Sequence, residues 1–150
     1  MYRTQYLRII NQIKVIPMEI CDKHNCVACC LNAEVPLLNE DVNRIMMHGY
    51  YDVYFVNEQD GVKTIRKFSQ GTCVFYRPKD GSCEIYDFRP EMCRLRPYTV
   101  KEGTHEPIID ESCEHAAECT PDPKLEEQMK DFFDTLLKEI EWRRNTGYLY

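Results

Sequence analysis

Apolar residues toward the end of the chain recur three and four positions apart, which is the spacing of one face of an α-helix. Asp122 and Pro123 are an N-cap and a first helical residue, and Gly147 is a terminator. The stripe between them consists of Leu125, Met129, Phe132, Phe133, Leu136, Leu137 and Ile140. The pattern predicts a long helix over about 122–146 that packs its apolar face on the core.

Two shorter helices are predicted nearer the beginning of the chain. Residues 2–16 carry one apolar face that ends before Pro17, made of Tyr2, Tyr6, Ile9, Ile13 and Ile16. Asn39 can cap a second helix that ends at Gly49 in the left-handed region, with apolar positions at Val42, Ile45 and Met46. The first of these helices serves packing rather than chemistry.

A β-hairpin is predicted in the middle of the chain. Residues 50–56 and 62–68 are rich in aromatic and branched side chains, which favour strands. Asp60 and Gly61 lie between them and suit a tight turn. The two segments are therefore expected to pair.

A second hairpin turns at residues 80–81, another Asp-Gly pair. It brings the strand that contains Cys73 back against the strand that begins at Cys83, so two thiols are expected close together. Pro90 then ends the strand and starts a helical turn that carries Cys93. These elements predict an α+β fold: an N-terminal helix, cysteine-rich loops and short β-hairpins around a metal site, and a long C-terminal helix.

Length and charge narrow the classes of function. The 150 residues are expected to form one domain over 1–150, with a cysteine-cluster core at about 21–113. The chain has 19 Lys and Arg against 25 Asp and Glu, a net charge of −6. This balance argues against nucleic acid and against a membrane surface as partners. The expected partner is another protein, and the oligomeric state is left open.

The first twenty residues interrupt their apolar positions with Arg3, Arg8 and Lys14, so they do not resemble a secretory signal. A cytoplasmic, reducing location is therefore expected. There, clustered cysteines are more often metal ligands or redox centres than structural disulfides. Disulfides are the alternative if a leader has been removed.

Nine cysteines dominate the candidate chemistry. Cys26 and Cys29 have the two-residue gap that lets both sulfurs reach one metal ion. Cys30 is adjacent to Cys29, and neighbouring side chains diverge, so a polynuclear cluster, two neighbouring sites or one idle thiol would follow. The core ligands are expected to be Cys26, Cys29, Cys30, Cys73, Cys83 and Cys93, with Cys21 and Cys113 next and Cys119 as the spare.

Three motifs in order carry a family resemblance: CxxCC at Cys26–Cys30, GxCxF at Gly71–Phe75, and CxIYxxRPxxCR at Cys83–Arg94. Together with the segment Pro36–Gly49, they resemble the YkgJ-type cysteine cluster family of zinc- or iron-chelating domains. The resemblance covers about residues 21–113. It implies that the six core cysteines are chelating residues.

Arg89 and Arg94 belong to the third motif without an assigned task. An arginine beside a thiolate cluster can offset its negative charge, and the potential of a cluster depends on that charge. Pairing with ordinary carboxylates is the alternative for both residues.

Three functions remain open. The favoured one is an iron-sulfur protein, with a 4Fe-4S cluster, for electron transfer or support of a partner enzyme. A structural or storage zinc module is the second. The third follows from the resemblance, since some larger relatives look like protein lysine N-methylases. However, no glycine-rich loop for S-adenosylmethionine is visible.

Overall fold

The computed structural model describes residues 34–96, 98–101, 103–110, 113, 116–119 and 121–147. The helix predicted over 2–16 and the cysteine-rich loop at 21–30 lie outside the described residues. Within these ranges the chain mixes helices with short antiparallel hairpins and ends in a long helix, as predicted. No helix of the described part is both long and apolar enough to cross a membrane.

The described chain groups into two compact units. The first unit comprises residues 34–93 and 134–147, and the second comprises the described residues of 94–133. The expectation of one domain over 1–150 stays a prediction.

The first unit opens with helix α1, Asn39–Met47. Val42 and Ile45 are buried as the apolar pattern predicts, whereas Met46 is exposed. The helix ends where Gly49, at φ +96°, donates its N–H to the Met46 carbonyl at 3.0 Å. The N-cap is Leu38 rather than Asn39, because the Asp41 carboxylate turns back and accepts the Leu38 N–H at 2.9 Å.

The first hairpin pairs β1, Val56–Gln59, with β2, Val62–Ile65, so that Glu58 faces Lys63 across the strands. Asp60 and Gly61 both have positive φ, 53° and 80°, which is the two-residue turn that matches strand twist. The predicted strand at 50–56 is wrong over most of its length, since Asp52–Phe55 forms a short helix, α2. Only Phe55 of that helix is buried, so one apolar anchor replaces a strand face.

The second hairpin pairs β3, Tyr76–Arg77, with β4, Ser82–Cys83, at the predicted Asp-Gly turn. The predicted extent of its strands is wrong, since Cys73 lies before β3 and bridges Lys67, and Cys83 ends β4 instead of beginning it. Gly81 has φ +68°. Phe75, fully buried just before β3, contacts the rings of three aromatic residues at centroid distances of 5.3–6.0 Å: Tyr50, Tyr54 and Phe55. This aromatic cluster supports the residues beside β3.

A 3₁₀ turn at Tyr86–Phe88 and helix α3, Glu91–Leu95, follow the second hairpin. The buried Pro90 stands just before α3, which confirms the helical turn that carries Cys93. Beyond α3, the second unit contains a hairpin of β5, Tyr98–Val100, and β6, Pro107–Ile109. The sequence did not indicate this hairpin, because its connecting residues read as a polar loop.

Helix α4, Pro123–Thr146, is the predicted C-terminal helix, followed by Gly147 at φ +62°. Five members of the predicted stripe are buried, Leu125, Met129, Phe132, Leu136 and Ile140. Leu137 is instead 38% exposed, so the apolar stripe is wider than the face that packs.

The start of α4 depends on a side-chain cap. Asp122 accepts the Lys124 N–H at 2.9 Å. We expect Asp122→Ala to lower the free energy of unfolding by about 1 kcal/mol, because one N-terminal N–H loses its acceptor. Asp122→Asn should retain most of that stability, and chemical denaturation of the three proteins measures the difference. Equal losses in both variants would contradict a capping role.

Candidate metal centre

Cys73 lies at the point where the chain enters the second hairpin. It forms an isolated antiparallel bridge with Lys67, across a turn in which Phe68 donates its N–H to the Thr72 carbonyl at 2.8 Å and accepts in turn from Gly71. The Cys73 sulfur accepts the backbone N–H groups of Phe75 and Tyr76. Amide donors two and three residues beyond a cysteine stabilise the thiolate, the form that binds metal.

Cys83 lies on β4 directly opposite Tyr76. Its sulfur accepts the N–H of Ile85, again two residues further along the chain. Cys73, just before β3, and Cys83, on β4, thus share one local arrangement, in which the sulfur accepts N–H groups from the backbone that follows it.

The two sulfurs lie close enough to interact electrostatically, as the second hairpin predicts. Burial raises the pKa of the Cys73 thiol, and the neighbouring Cys83 raises it further, against the lowering effect of the two N–H donors. Burial likewise raises the pKa of the Cys83 thiol, while the positive charge of Arg89 lowers it. A metal cation would displace both protons, because its positive charge offsets the free-energy cost of burying two negatively charged thiolates.

Cys93 lies on α3, whose position is set by a buried carboxylate on α1. Asp41 is 1% exposed, and its Oδ1 accepts the Glu91 N–H at 3.0 Å and the Arg44 guanidinium at 2.8 Å. Arg44 donates a second hydrogen bond, at 2.8 Å, to the Arg89 carbonyl. This pair, the Asp41–Arg44 clamp, holds the chain on both sides of Pro90 and so fixes the beginning of the cysteine-bearing helix.

In the second unit, Cys113 and Cys119 lie near each other. Two successive turns bring them together: Ala116 N–H donates to the Cys113 carbonyl and Cys119 N–H donates to the Ala116 carbonyl, both at 3.1 Å. Burial is the larger cause of a raised pKa at the Cys119 thiol, and the charge of Cys113 raises this pKa further. Cys119 was expected to be a spare thiol, and its spacing from Cys113 carries no ligand signature that could have indicated this proximity.

The remaining predicted ligands, Cys21, Cys26, Cys29 and Cys30, lie outside the described residues. Among the residues that the structure describes, no three His, Cys, Asp or Glu side chains come together as a set that could hold a metal ion. No two of the five described cysteines are joined by a disulfide. The full ligand set therefore stays a prediction, with Cys73 and Cys83 as its described pair.

This pair fits a thiolate-bound metal. Both members are partly buried thiols, and their backbone donors favour the ionised form. Soft sulfur donors select zinc, Cu(I) or iron-sulfur clusters over hard cations. A tetrahedral site needs two more ligands than the described pair supplies.

Comparison with known proteins agrees with this chemistry. The model of a family described as "CxxCxxCC: Putative zinc- or iron-chelating domain" matches residues 20–130. The "Uncharacterized protein MJ0661" of Methanocaldococcus jannaschii is 31% identical over 86 residues, covering 52% of this chain and 46% of that protein. The chain thus spans about half the length of this curated relative. No solved structure matches the present chain.

Proposed function

The chain belongs to the CxxCxxCC family of zinc- or iron-chelating domains, and on that premise we propose that its thiolates hold an iron-sulfur cluster for electron transfer or support of a partner enzyme. The family description names chelation of zinc or iron as the role of the domain. The match over residues 20–130 confirms the resemblance of the sequence to a cysteine-cluster family. The cluster and its use are the proposal.

The observation that carries the proposal is the arrangement of Cys73 and Cys83. Cys73 lies at the entrance to the second hairpin and Cys83 on its second strand, their charges interact once ionised, and together their sulfurs accept three backbone N–H groups. Hydrogen bonds to sulfur are a principal means by which proteins set the potential of an iron-sulfur cluster. A buried thiol pair with no metal to bind would instead be stable only while protonated.

The other ligands are proposed to come from the Cys26–Cys30 segment, with Cys21, Cys93 and Cys113 as further candidates. Adjacent Cys29 and Cys30 favour more than one metal atom, since their side chains diverge. Bound in this setting, a 4Fe-4S cluster would supply one-electron transfer. The described hairpin would orient two of its ligands, and the Asp41–Arg44 clamp would orient the helix of Cys93.

Zinc is the second candidate, on a separate observation. The two-residue gap between Cys26 and Cys29, added to the described pair Cys73 and Cys83, gives the four thiolates of a closed structural zinc site. Such a site would hold the hairpin to the cysteine-rich loop without any redox role.

Anaerobic isolation decides between these occupants. We expect protein with stoichiometric iron and acid-labile sulfide, a broad visible absorption, and bleaching on reduction. Colourless protein with stoichiometric zinc would reject the cluster and support the structural site. Protein that retains neither metal, and that cannot be reconstituted with either, would reject the proposed function as a whole.

A ligand variant and a neighbour on the same strand sharpen this test. Cys83→Ser is expected to lower metal content at least about tenfold, because a thiolate is lost from the site. Ser82→Ala is the matched control, since within the described part of the chain that hydroxyl bonds to Asp80 alone, at 2.7 Å, and metal content should not change. Unaltered metal content in both Cys73→Ser and Cys83→Ser would place the metal elsewhere.

A further inference from the structure

The guanidinium of Arg89 lies against an aromatic ring and beside a candidate ligand. Its Cζ is 3.7 Å from the centroid of the Tyr86 ring, within the range of a cation–π contact. Tyr86 and Arg89 follow Cys83 along the same chain segment, and the Arg89 charge acts on the Cys83 thiol. The cation–π contact with Tyr86, three residues beyond Cys83, thus keeps the positive charge on the segment that carries this candidate ligand.

One donor of this guanidinium has no acceptor among the residues that the structure describes. Arg89 Nε is buried and makes no hydrogen bond within the described part of the chain. No described carboxylate forms an ion pair with Arg89 either. A buried donor without an acceptor costs about 1–3 kcal/mol, so a native protein normally supplies one.

The backbone of Arg89 is held independently of its side chain. The carbonyl accepts from Arg44 at 2.8 Å, the next residue, Pro90, is fully buried, and the Glu91 N–H is bound to Asp41 at 3.0 Å. The Asp41–Arg44 clamp therefore fixes where the side chain starts, and the Tyr86 ring fixes where the guanidinium lies. Preorganisation of this kind is found where a group must act at a defined place.

We infer that Arg89 is the charge-compensating residue of the thiolate centre, its unused N–H donating to a ligand sulfur or to a cluster sulfide and its charge offsetting the anionic metal-thiolate complex. This inference rests on the proposed function. The alternative for Arg89, an ordinary ion pair with a carboxylate, is not what the described residues show, because none of their carboxylates pairs with it. Arg rather than Lys is suited to this task, since its fork can stack on a ring and donate at the same time.

Arg77 provides a contrast within the same hairpin. It also lowers the pKa of the Cys83 thiol, but its side chain is 54% exposed and lies 3.8 Å from the Glu84 carboxylate. Solvent and that carboxylate screen its charge. Position, and not charge alone, distinguishes Arg89 from Arg77.

Cobalt binding to the metal-free full chain tests the inference. Co²⁺ bound by thiolates absorbs through sulfur-to-metal charge transfer, and competition with Zn²⁺ gives both affinities. Arg89→Gln is expected to weaken binding about 10–100-fold, the usual effect of removing a group that hydrogen-bonds to a ligand. Arg77→Gln, which removes the same charge from the exposed neighbour, should weaken it less than about threefold.

Two further variants separate charge from folding. Arg89→Lys keeps the charge and is expected to recover part of the lost affinity, whereas Tyr86→Leu removes the ring and should weaken binding in the same direction as Arg89→Gln. Circular dichroism of each metal-free variant should match the parent chain. In protein reconstituted with iron and sulfide, Arg89→Gln should also shift the midpoint potential to more negative values, because a positive charge is lost.

The outcomes are distinct. If the parent chain binds Co²⁺ tightly and Arg89→Gln binds it equally well, the inference is overturned and the proposed function stands. If the parent chain binds neither Co²⁺ nor Zn²⁺ and also cannot be reconstituted with iron and sulfide, the proposed function fails and the inference fails with it. Equal weakening by Arg77→Gln and Arg89→Gln would reduce the effect to general electrostatics and also overturn the inference.

Discussion

Replacing Asp41 by alanine is expected to lower the free energy of unfolding by about 3–5 kcal/mol, the usual result of removing one partner of a buried ion pair. The carboxylate is 1% exposed and serves three donors, the Leu38 N–H, the Glu91 N–H and the Arg44 guanidinium, at 2.8–3.0 Å. Without it, two backbone donors and a partly buried cation lose their acceptor together.

The size of this effect is checked by urea denaturation, and its location by amide hydrogen exchange. The Glu91 amide should exchange faster in Asp41→Ala by the same free energy as the global loss, or by more if α3 opens locally. Asp41→Asn should recover little, because its amide nitrogen would face a donor. Glu40→Ala, in the same helical turn, removes an acidic residue that holds no such network and should cost at most about 1 kcal/mol.

A loss below about 1 kcal/mol in Asp41→Ala would show that the clamp does not position the residues around Pro90. The same measurement would then remove the structural reason for expecting Cys93 and Arg89 at defined places. The variant therefore tests the support of the candidate centre without requiring that any metal be bound.

The second large effect is a pH dependence of stability that originates at Glu139 on α4. Burial raises the pKa of this carboxyl from its ordinary value of 4.5 to about 7, although the Asn39 N–H, at 3.2 Å, and the nearby Arg143 lower it. The charges around Glu139 come from α4 itself, from Asp41 on α1 and from Lys63 on β2. The folded chain thus holds this proton more tightly than the unfolded chain does.

The sign follows from that difference. The contribution of the Glu139 proton to stability is complete below about pH 4.5 and is lost as the pH rises through about 7. The loss amounts to about 2–3 kcal/mol by about pH 8. Glu139→Gln cannot release a proton and should lack this loss. The difference in unfolding free energy between this variant and the parent chain should therefore shift in favour of the variant as the pH rises from about 4.5 to about 8.

Denaturation curves of the two proteins at a series of pH values measure the effect as a difference, in which other titrating groups cancel. Glu141→Gln is the matched control, since Glu141 lies exposed on the same helix and its replacement should leave the parent pH profile unchanged. Parallel profiles for the parent chain and Glu139→Gln would contradict a raised pKa at Glu139.

Elements whose signals are local were predicted well. The N-cap at Asp122, the apolar stripe and Gly147 together specify α4, and each acts within a few residues of its own position. Asp60 and Gly61 specify the first hairpin in the same way, because their positive φ values are set by the turn itself.

The errors occur where burial had to be known first. Tyr51, Val53 and Tyr54 have strand-forming side chains but are exposed, and the segment adopts the short helix α2, in which only Phe55 is buried. Propensity describes how well a side chain suits a half-buried sheet, so it fails when no sheet covers that side chain. The hairpin of β5 and β6 was missed because its polar connection carries no distinctive turn pair.

In the candidate centre, too, local features were predictable from the sequence and long-range contacts were not. The proximity of Cys73 and Cys83 was predictable, since one tight turn connects the strands that lead to them. Within the Asp41–Arg44 clamp, the hydrogen bond from the Glu91 N–H to Asp41 spans 50 residues of sequence. The hydrogen bond at 2.7 Å from Arg143 to the Gly61 carbonyl spans 82. No periodicity or spacing indicates such pairs, because each partner is an ordinary polar residue in its own segment.

The sequence by itself determined the thiol chemistry, the hairpin that brings two of the thiols together, and the long final helix. These depend on residue type and on dihedral preferences within a few positions. Only the tertiary structure decided which charged groups are buried, that Asp41 and Arg44 fix the chain around Pro90, and that a buried N–H of Arg89 has no acceptor among the described residues. Burial and hydrogen-bond partners are properties of distant segments packed together, and they exist only once the chain has folded.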